Sequence, residues 1–166
     1  MSLSIRIVGD PVLRQVSQPV ADIDGSIARL AAEMVDPLRD VNGLGLAAPQ
    51  VGVLKRLFVY EFPDDDGGPK VLVNPVITET RGEWEYDEGC LSIPGLFFPI
   101  VRPKEVHLTG YDLDGHEISL EADEVTARLF QHELDHLEGR LLLELLTPEQ
   151  RKEAMRELRR RALEST

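Results

Sequence analysis

The sequence predicts a single domain that mixes helices with strands, and three observations carry that expectation. Apolar residues recur at helical spacing after Asp24, and His132 and His136 stand four apart, one turn of a second helix. Residues 56–62, 71–78 and 106–120 are instead short β-branched and aromatic runs broken by turn residues. Asp114-Gly115, inside the last of them, is a strong hairpin signal. At 166 residues the chain is long enough for one hydrophobic core of ordinary size. Its formal net charge of −12 argues against a general nucleic-acid surface, since phosphate binding needs clustered Lys and Arg, so DNA is not an expected partner. No apolar run is long enough for a membrane span, and Met1-Ser2-Leu3-Ser4-Ile5-Arg6 lacks the charged-then-apolar pattern of an export signal. With one cysteine, a reducing cytoplasm is the expected compartment.

Taken in order, residues 5–8 read as a short strand entering a turn at Gly9-Asp10-Pro11, and residues 12–20 as an extended segment. Asp24 is placed to cap a helix whose apolar stripe is Ile27, Leu30, Ala31, Met34, Val35 and Leu38. Pro37 should kink that helix or close its regular part near Asp36, and Asn42-Gly43 supplies the stop. Gly43-Leu44-Gly45-Leu46-Ala47-Ala48-Pro49-Gln50 is too small and Gly-rich for an ordinary core strand. It suits either a plain connecting loop or an exposed strand edge along which a peptide could hydrogen-bond. Gln50, at its polar tip, could aim an amide donor at an oxyanion or cap a turn. The acidic loop of residues 63–69 reads as a solvated tip, because it lacks the spaced ligands of a calcium-binding loop.

Strand segments 71–73 and 76–78 should continue the sheet around Asn74-Pro75, and Cys90 should sit on short extended structure after Trp84. The 106–120 hairpin turns His107 to solvent and leaves His116 beside the turn, so neither is expected to hold a metal. Asp123 then caps the helix that carries His132 and His136. Arg128 and Leu129, one turn earlier, either line a groove leading to that face or pack ordinarily, Arg128 lying along the surface on its apolar stem. Thr147-Pro148-Glu149-Gln150 has capping-box spacing with proline at the first helical position, so a last helix should run over about residues 148–163. Its Arg151, Lys152, Arg156, Arg159, Arg160 and Arg161 make a locally basic patch, which either complements the helix dipole or docks onto RNA or another acidic surface.

The chemistry concentrates in Gln131-His132-Glu133-Leu134-Asp135-His136. His132 and His136 are one helical turn apart on one face, so two imidazoles can point at a single ion, and Glu133 lies round the helix where it can reach a metal-bound water. The competing reading is a solvated helix rich in acids and histidines. A catalytic site needs a third protein ligand and an open fourth position. Cys90, alone and flanked by Gly89, is the obvious candidate, although a buried cysteine often acts only as a small hydrophobe.

Three segments together, Gly43-Leu44-Gly45-Leu46-Ala47-Ala48-Pro49-Gln50, Glu88-Gly89-Cys90-Leu91-Ser92 and Gln131-His132-Glu133-Leu134-Asp135-His136, resemble the signature motifs of the peptide deformylases at every defining position and in the same order. The resemblance implies an α+β fold in which antiparallel sheets surround the metal-bearing helix. It also implies removal of the N-formyl group from the formyl-methionine of nascent polypeptides, releasing formate. By the same resemblance Cys90, His132 and His136 hold one divalent ion, Fe2+ in the cell with Zn2+, Ni2+ or Co2+ able to replace it. Glu133 is then the general acid and base, Gln50 and the backbone N–H of Leu91 form the oxyanion hole, and the C-terminal helix contacts the ribosome. The first substrate side chain is expected near Leu44 and Leu129, with the peptide backbone along Gly45 and Gly89 and few later side chains read. Arg102 either braces Glu88 or Asp135 from behind or is an ordinary surface charge. A metalloprotease with the same histidine pair and a metal-stabilised binding module are the alternatives; Glu133 counts against the second, because a structural site needs no base.

Overall fold

In a computed structural model describing residues 3–64 and 66–164, three helices and two antiparallel sheets form an α+β fold. Met1 and Ser2, at the head of the segment read for an export signal, and Asp65 of the acidic loop lie outside the described residues. The larger sheet runs in the order β1 (Gly45–Ala47), β2 (Leu57–Tyr60), β3 (Lys70–Arg81), β6 (Glu105–Tyr111), β7 (Glu117–Asp123). β4 (Trp84–Cys90) and β5 (Ile93–Arg102) make a separate hairpin. Every one of these pairings is antiparallel. Among the described residues β1 pairs only with β2 and β4 only with β5, so each keeps one edge without a strand neighbour.

β2 is buried on both faces, and its alternation divides the interior. Leu57 and Val59 join Ile27, Ala31, Met34 and Leu38 of α1 (Gly25–Asp40) in one core cluster. Phe58 and Tyr60 join Ala127, Phe130 and Leu137 of α2 (Glu124–Leu137) in another. Phe58 and Phe130 are almost wholly buried, each contributing roughly 1.5–3 kcal/mol over an exposed position. A third cluster joins Cys90, Ile93 and Ile100 of the hairpin to Leu142, Leu143 and Leu146 and to Ala154 of α3 (Pro148–Glu164). Helix α2 therefore packs on the large sheet while its histidine-bearing face meets the small hairpin.

Several local expectations hold. Asp24 caps α1 by accepting from the N–H groups of Ser26 and Ile27. Thr147 and Gln150 close a reciprocal capping box at 3.0 and 3.1 Å. Others are corrected. Residues 5–8 form no strand, because their backbone N–H groups go singly to two separate elements, Arg6 to Gln50 O and Val8 to Ser92 O. The 12–20 segment does not start extended: Pro11–Arg14 is a 3-10 turn, with Asp10 Oδ1 accepting from Val12 N at 3.1 Å. Pro37 does not close α1, which continues to Asp40. The proline ring and Leu38 are buried, and Arg39 forms a two-pronged pair with Glu61 at 2.8 and 2.7 Å, interactions that offset the lost helical bond. At Asn74-Pro75 the sheet continues as expected: β3 runs through it as one strand with a register shift against β6, Asn74 taking φ 50° and bonding the backbone of Val20 through both ends of its amide.

Candidate metal centre and substrate cleft

Helix α2 is entered directly from β7. Asp123 occupies the capping position, but its side chain makes no cap bond, contrary to expectation. It is still a ladder residue opposite Glu105, and the turn is made by Glu124 at φ 47°, whose N–H goes to Lys104 O at 2.8 Å. From there the 3.6-residue period puts Arg128, His132 and Asp135 toward the β4–β5 hairpin and Leu129 and Glu133 toward β1. The hairpin brings Cys90 to the same place from the opposite side.

Cys90 Sγ lies 3.3 Å from His136 Nε2, which lies 3.2 Å from His132 Nε2, and the three donor atoms all fall within 4.8 Å of one another. Donors about 2.0–2.3 Å from a shared ion at tetrahedral angles stand roughly 3.3–3.6 Å apart, a spacing that both His136 separations approach, so the set suits a metal. The thiol is buried, which by itself raises its pKa, but the facing rings of His136 and His132 pull it well below the ordinary range and favour the thiolate. His132 is oriented by Glu88, its Nδ1 bonding Glu88 Oε2 at 2.7 Å so that Nε2 faces the sulfur. His136 Nδ1 is buried with no partner among the described residues.

Glu133 stands beside these donors, and burial raises its pKa above 4.5 although the two imidazoles oppose the shift. Its Oε1 is buried without a partner among the described residues, and Oε2 lies where a Cβ on Gly45 would come within 2.7 Å. Gly45 is thus required by a close approach, since any side chain there would displace the carboxylate. Gln50, on a short 3-10 turn after β1, is fixed at both ends: Oε1 accepts from Ala47 N at 2.9 Å, and Nε2 reaches Ser92 Oγ at 3.2 Å and Cys90 Sγ at 3.8 Å.

A cavity of about 540 Å³ opens beside this group between β1 and β4. Leu44, Gly45, Gly89, Leu91 and Leu129, all singled out from the sequence, line it, as do Gln50, Cys90, His132 and Glu133. His107 and His116 stay apart from it. His116 joins Asp112 and Asp114 at the β6–β7 turn, but Asp112 Oδ1 already accepts the N–H groups of Asp114 and His116, and the group is a turn in solvent.

The sequence leaves the roles of Arg102 and Arg128 open between alternatives, and the structure decides them. Arg102 braces both of its candidate partners, donating to Glu88 at 2.8 and 2.7 Å and to Asp135 at 2.9 Å. Arg128 does not lie along the surface: it is buried, donates to Glu88 Oε1 at 2.7 Å and to Trp84 O, and sits over the Trp84 and Tyr86 rings. Glu88 thus receives two guanidinium groups and a histidine. Burial alone would raise its pKa, yet His132 and Arg102 outweigh that and hold it well below the usual carboxylate range. Ser92, fully buried as the acceptor for Gln50, stood in the Cys90 motif without a role of its own.

Comparison with known proteins points to one family. The family described as Polypeptide deformylase matches residues 2–152. A peptide deformylase of Acidothermus cellulolyticus is 45% identical over 155 residues, covering 93% of this chain and 84% of the relative. Peptide deformylase 1 of Corynebacterium efficiens is 46% identical, covering 91% and 90%. Among solved structures, a peptide deformylase from Legionella pneumophila superimposes with a TM-score of 0.93 at 36% identity, covering 99% and 98% of the two chains. One from Ehrlichia chaffeensis in complex with actinonin gives 0.90 at 38% identity, covering 97% and 98%.

Proposed function

The chain belongs to the polypeptide deformylase family of enzymes, and from that premise we propose that it removes the formyl group from the formyl-methionine of nascent polypeptides by metal-dependent hydrolysis, releasing formate. The observation that carries this reading is the convergence of one thiolate and two imidazoles beside a buried carboxylate with a partnerless oxygen, at the end of a cleft between two free strand edges. Cys90, His132 and His136 hold one divalent ion, Fe2+ in the cell, with Zn2+, Ni2+ or Co2+ able to take its place; a mixed sulfur and imidazole set suits all four. Bound there, the ion supplies Lewis acidity, lowering the pKa of a water toward neutrality and polarising the formyl carbonyl.

The residues of the chain do the rest. The peptide backbone lies along Gly45 and Gly89, hydrogen-bonding to the free edges of β1 and β4 as an added strand. Its first side chain enters the cavity beside Leu44 and Leu129, whose apolar walls match methionine. Glu133 takes the proton of the attacking water as the new C–O bond forms, and gives it to the amine nitrogen as the C–N bond breaks. Its raised pKa brings the carboxylate closer to neutrality, the direction that suits such a proton shuttle. Gln50 Nε2 and the Leu91 N–H donate to the formyl oxygen as negative charge develops, a kind of contact worth on the order of 10² to 10³ in rate. Glu88 holds His132 in the tautomer that presents Nε2.

Contact with the ribosome through α3 is part of the same proposal. It is supported by exposed Lys152, Arg156, Arg159 and Arg160 on an otherwise acidic protein, although Arg160 also pairs with Glu157 and Glu164. A cytoplasmic location accords with the unpaired Cys90, and no described helix is long and apolar enough to cross a membrane.

The test is a formate-release assay on a formyl-methionyl peptide with anaerobically purified, metal-analysed enzyme. Glu133→Ala should retain the ion and lose at least two orders of magnitude in kcat. Full activity in that variant, or internal peptide-bond cleavage in place of formate release, would sink the reading.

A further inference from the structure

We infer that Phe97 reads the second residue of the substrate and favours a large apolar side chain there, an inference that rests on the peptide lying along Gly45 and Gly89 as proposed above. Side chains alternate along a strand. In β4, Glu88 and Cys90 are buried toward α2, so Gly89 between them presents the opposite face. Phe97 pairs with Gly89 in register, and its ring crosses that face so closely that a Cβ on Gly89 would meet Phe97 Cε1 at 2.5 Å. The same alternation governs the bound peptide. Its first side chain points toward α2 into the cavity, and its second points to the face that Phe97 covers.

The ring is available there. Phe97 is 67% exposed, whereas its neighbours Leu96 and Phe98 are partly buried against the third core cluster. Scattered exposed hydrophobic residues need no explanation, but this one belongs to the lining of the substrate cleft, together with the exposed Val41 and Leu44. Asp87 presents the same face of β4 and also lines the cleft, so an acidic second residue meets a like charge on a chain whose net charge is already −12.

The experiment measures kcat and KM of the metal-loaded full-length enzyme on three peptides differing only at the second position: formyl-Met-Phe, formyl-Met-Gly and formyl-Met-Asp. The phenylalanine peptide should exceed the glycine peptide by about tenfold in kcat/KM, the effect of covering a modest apolar area, with the difference residing in KM. The aspartate peptide should be the poorest. Phe97→Ala should reduce the phenylalanine-to-glycine ratio to about two or less, and Phe97→Lys should raise the aspartate peptide relative to the phenylalanine one. A flat ratio in the wild type, or a tenfold ratio that survives Phe97→Ala, overturns this inference alone. Absence of formate from all three peptides would overturn the deformylase reading and this inference with it.

Discussion

Glu88 and Glu121 each stand on a hairpin strand and each meets an arginine and a histidine, yet the two clusters differ in the one property that decides their worth. Glu88 accepts from Arg102, Arg128 and His132 in a space where every partner is buried. Glu121 pairs with Arg81 and His107 in the open, its side chain 60% exposed. In water an ion pair replaces solvation that was nearly as good, so its net contribution is small. Inside, each charge has already lost its water, and the loss of one partner leaves another stranded. The same residue types therefore build a support for a metal ligand in one hairpin and a solvated face in the other.

The strongest way to break that contrast is Glu88→Ala. It strands Arg128 and most of Arg102, and should cost roughly 3–5 kcal/mol of stability by chemical denaturation. With His132 no longer oriented, metal affinity should fall about 10–100-fold in a chelator competition. A loss of stability within that of an ordinary surface substitution would show that burial is not what separates the clusters.

Arg102→Met is a milder probe, because Glu88 keeps Arg128 and His132. Two hydrogen bonds to a charged carboxylate disappear, together with the bond to Asp135, and roughly 1.5–3 kcal/mol should be lost on thermal or chemical unfolding. If the variant proved as damaging as Glu88→Ala, the brace would run through Asp135 and the end of α2 rather than through Glu88.

This contrast also marks how far the sequence can be read. The histidine pair was legible because helical spacing alone puts residues 132 and 136 on one face, and Cys90 because an unpaired thiol beside glycine stood out once a third donor was needed. Gln50 stood out as the polar tip of a Gly- and Ala-rich segment, the motif resemblance added Leu91, and both line the cleft beside the thiol. Arg128 was legible as a groove residue and does line the cleft, but its ion pair was not, because nothing in its local pattern distinguishes an arginine snorkelling to solvent from one drawn inward by a carboxylate 40 residues earlier. Phe97 carries no local signal; its place over Gly89 follows from hairpin register, in which Cys90 pairs with Ile93 across a two-residue turn and residues 94–96 of β5 are passed over before Phe97 meets Gly89. Pro37 shows the converse, a strong local rule overridden by packing and by the Arg39–Glu61 pair.

The smallest expected effect comes from Glu121→Gln, and its pH dependence sharpens the comparison most. The hydrogen bond from His107, with the charge of Arg81, lowers the pKa of Glu121 below 4.5. A carboxylate depressed in the folded state stabilises above its unfolded value and loses that contribution as pH falls through the folded one, so any difference between wild type and variant belongs above about 4.5 and should shrink in acid. At neutral pH the denaturation midpoints of the two should agree within reproducibility at physiological salt, and separate, if at all, only at low ionic strength where screening is weak. Glu88, held well below the usual carboxylate range, keeps its charge through that same acid window. A Glu121 variant as destabilised as Glu88→Ala, and insensitive to salt, would mean that the exposed cluster is doing structural work that its solvation should forbid.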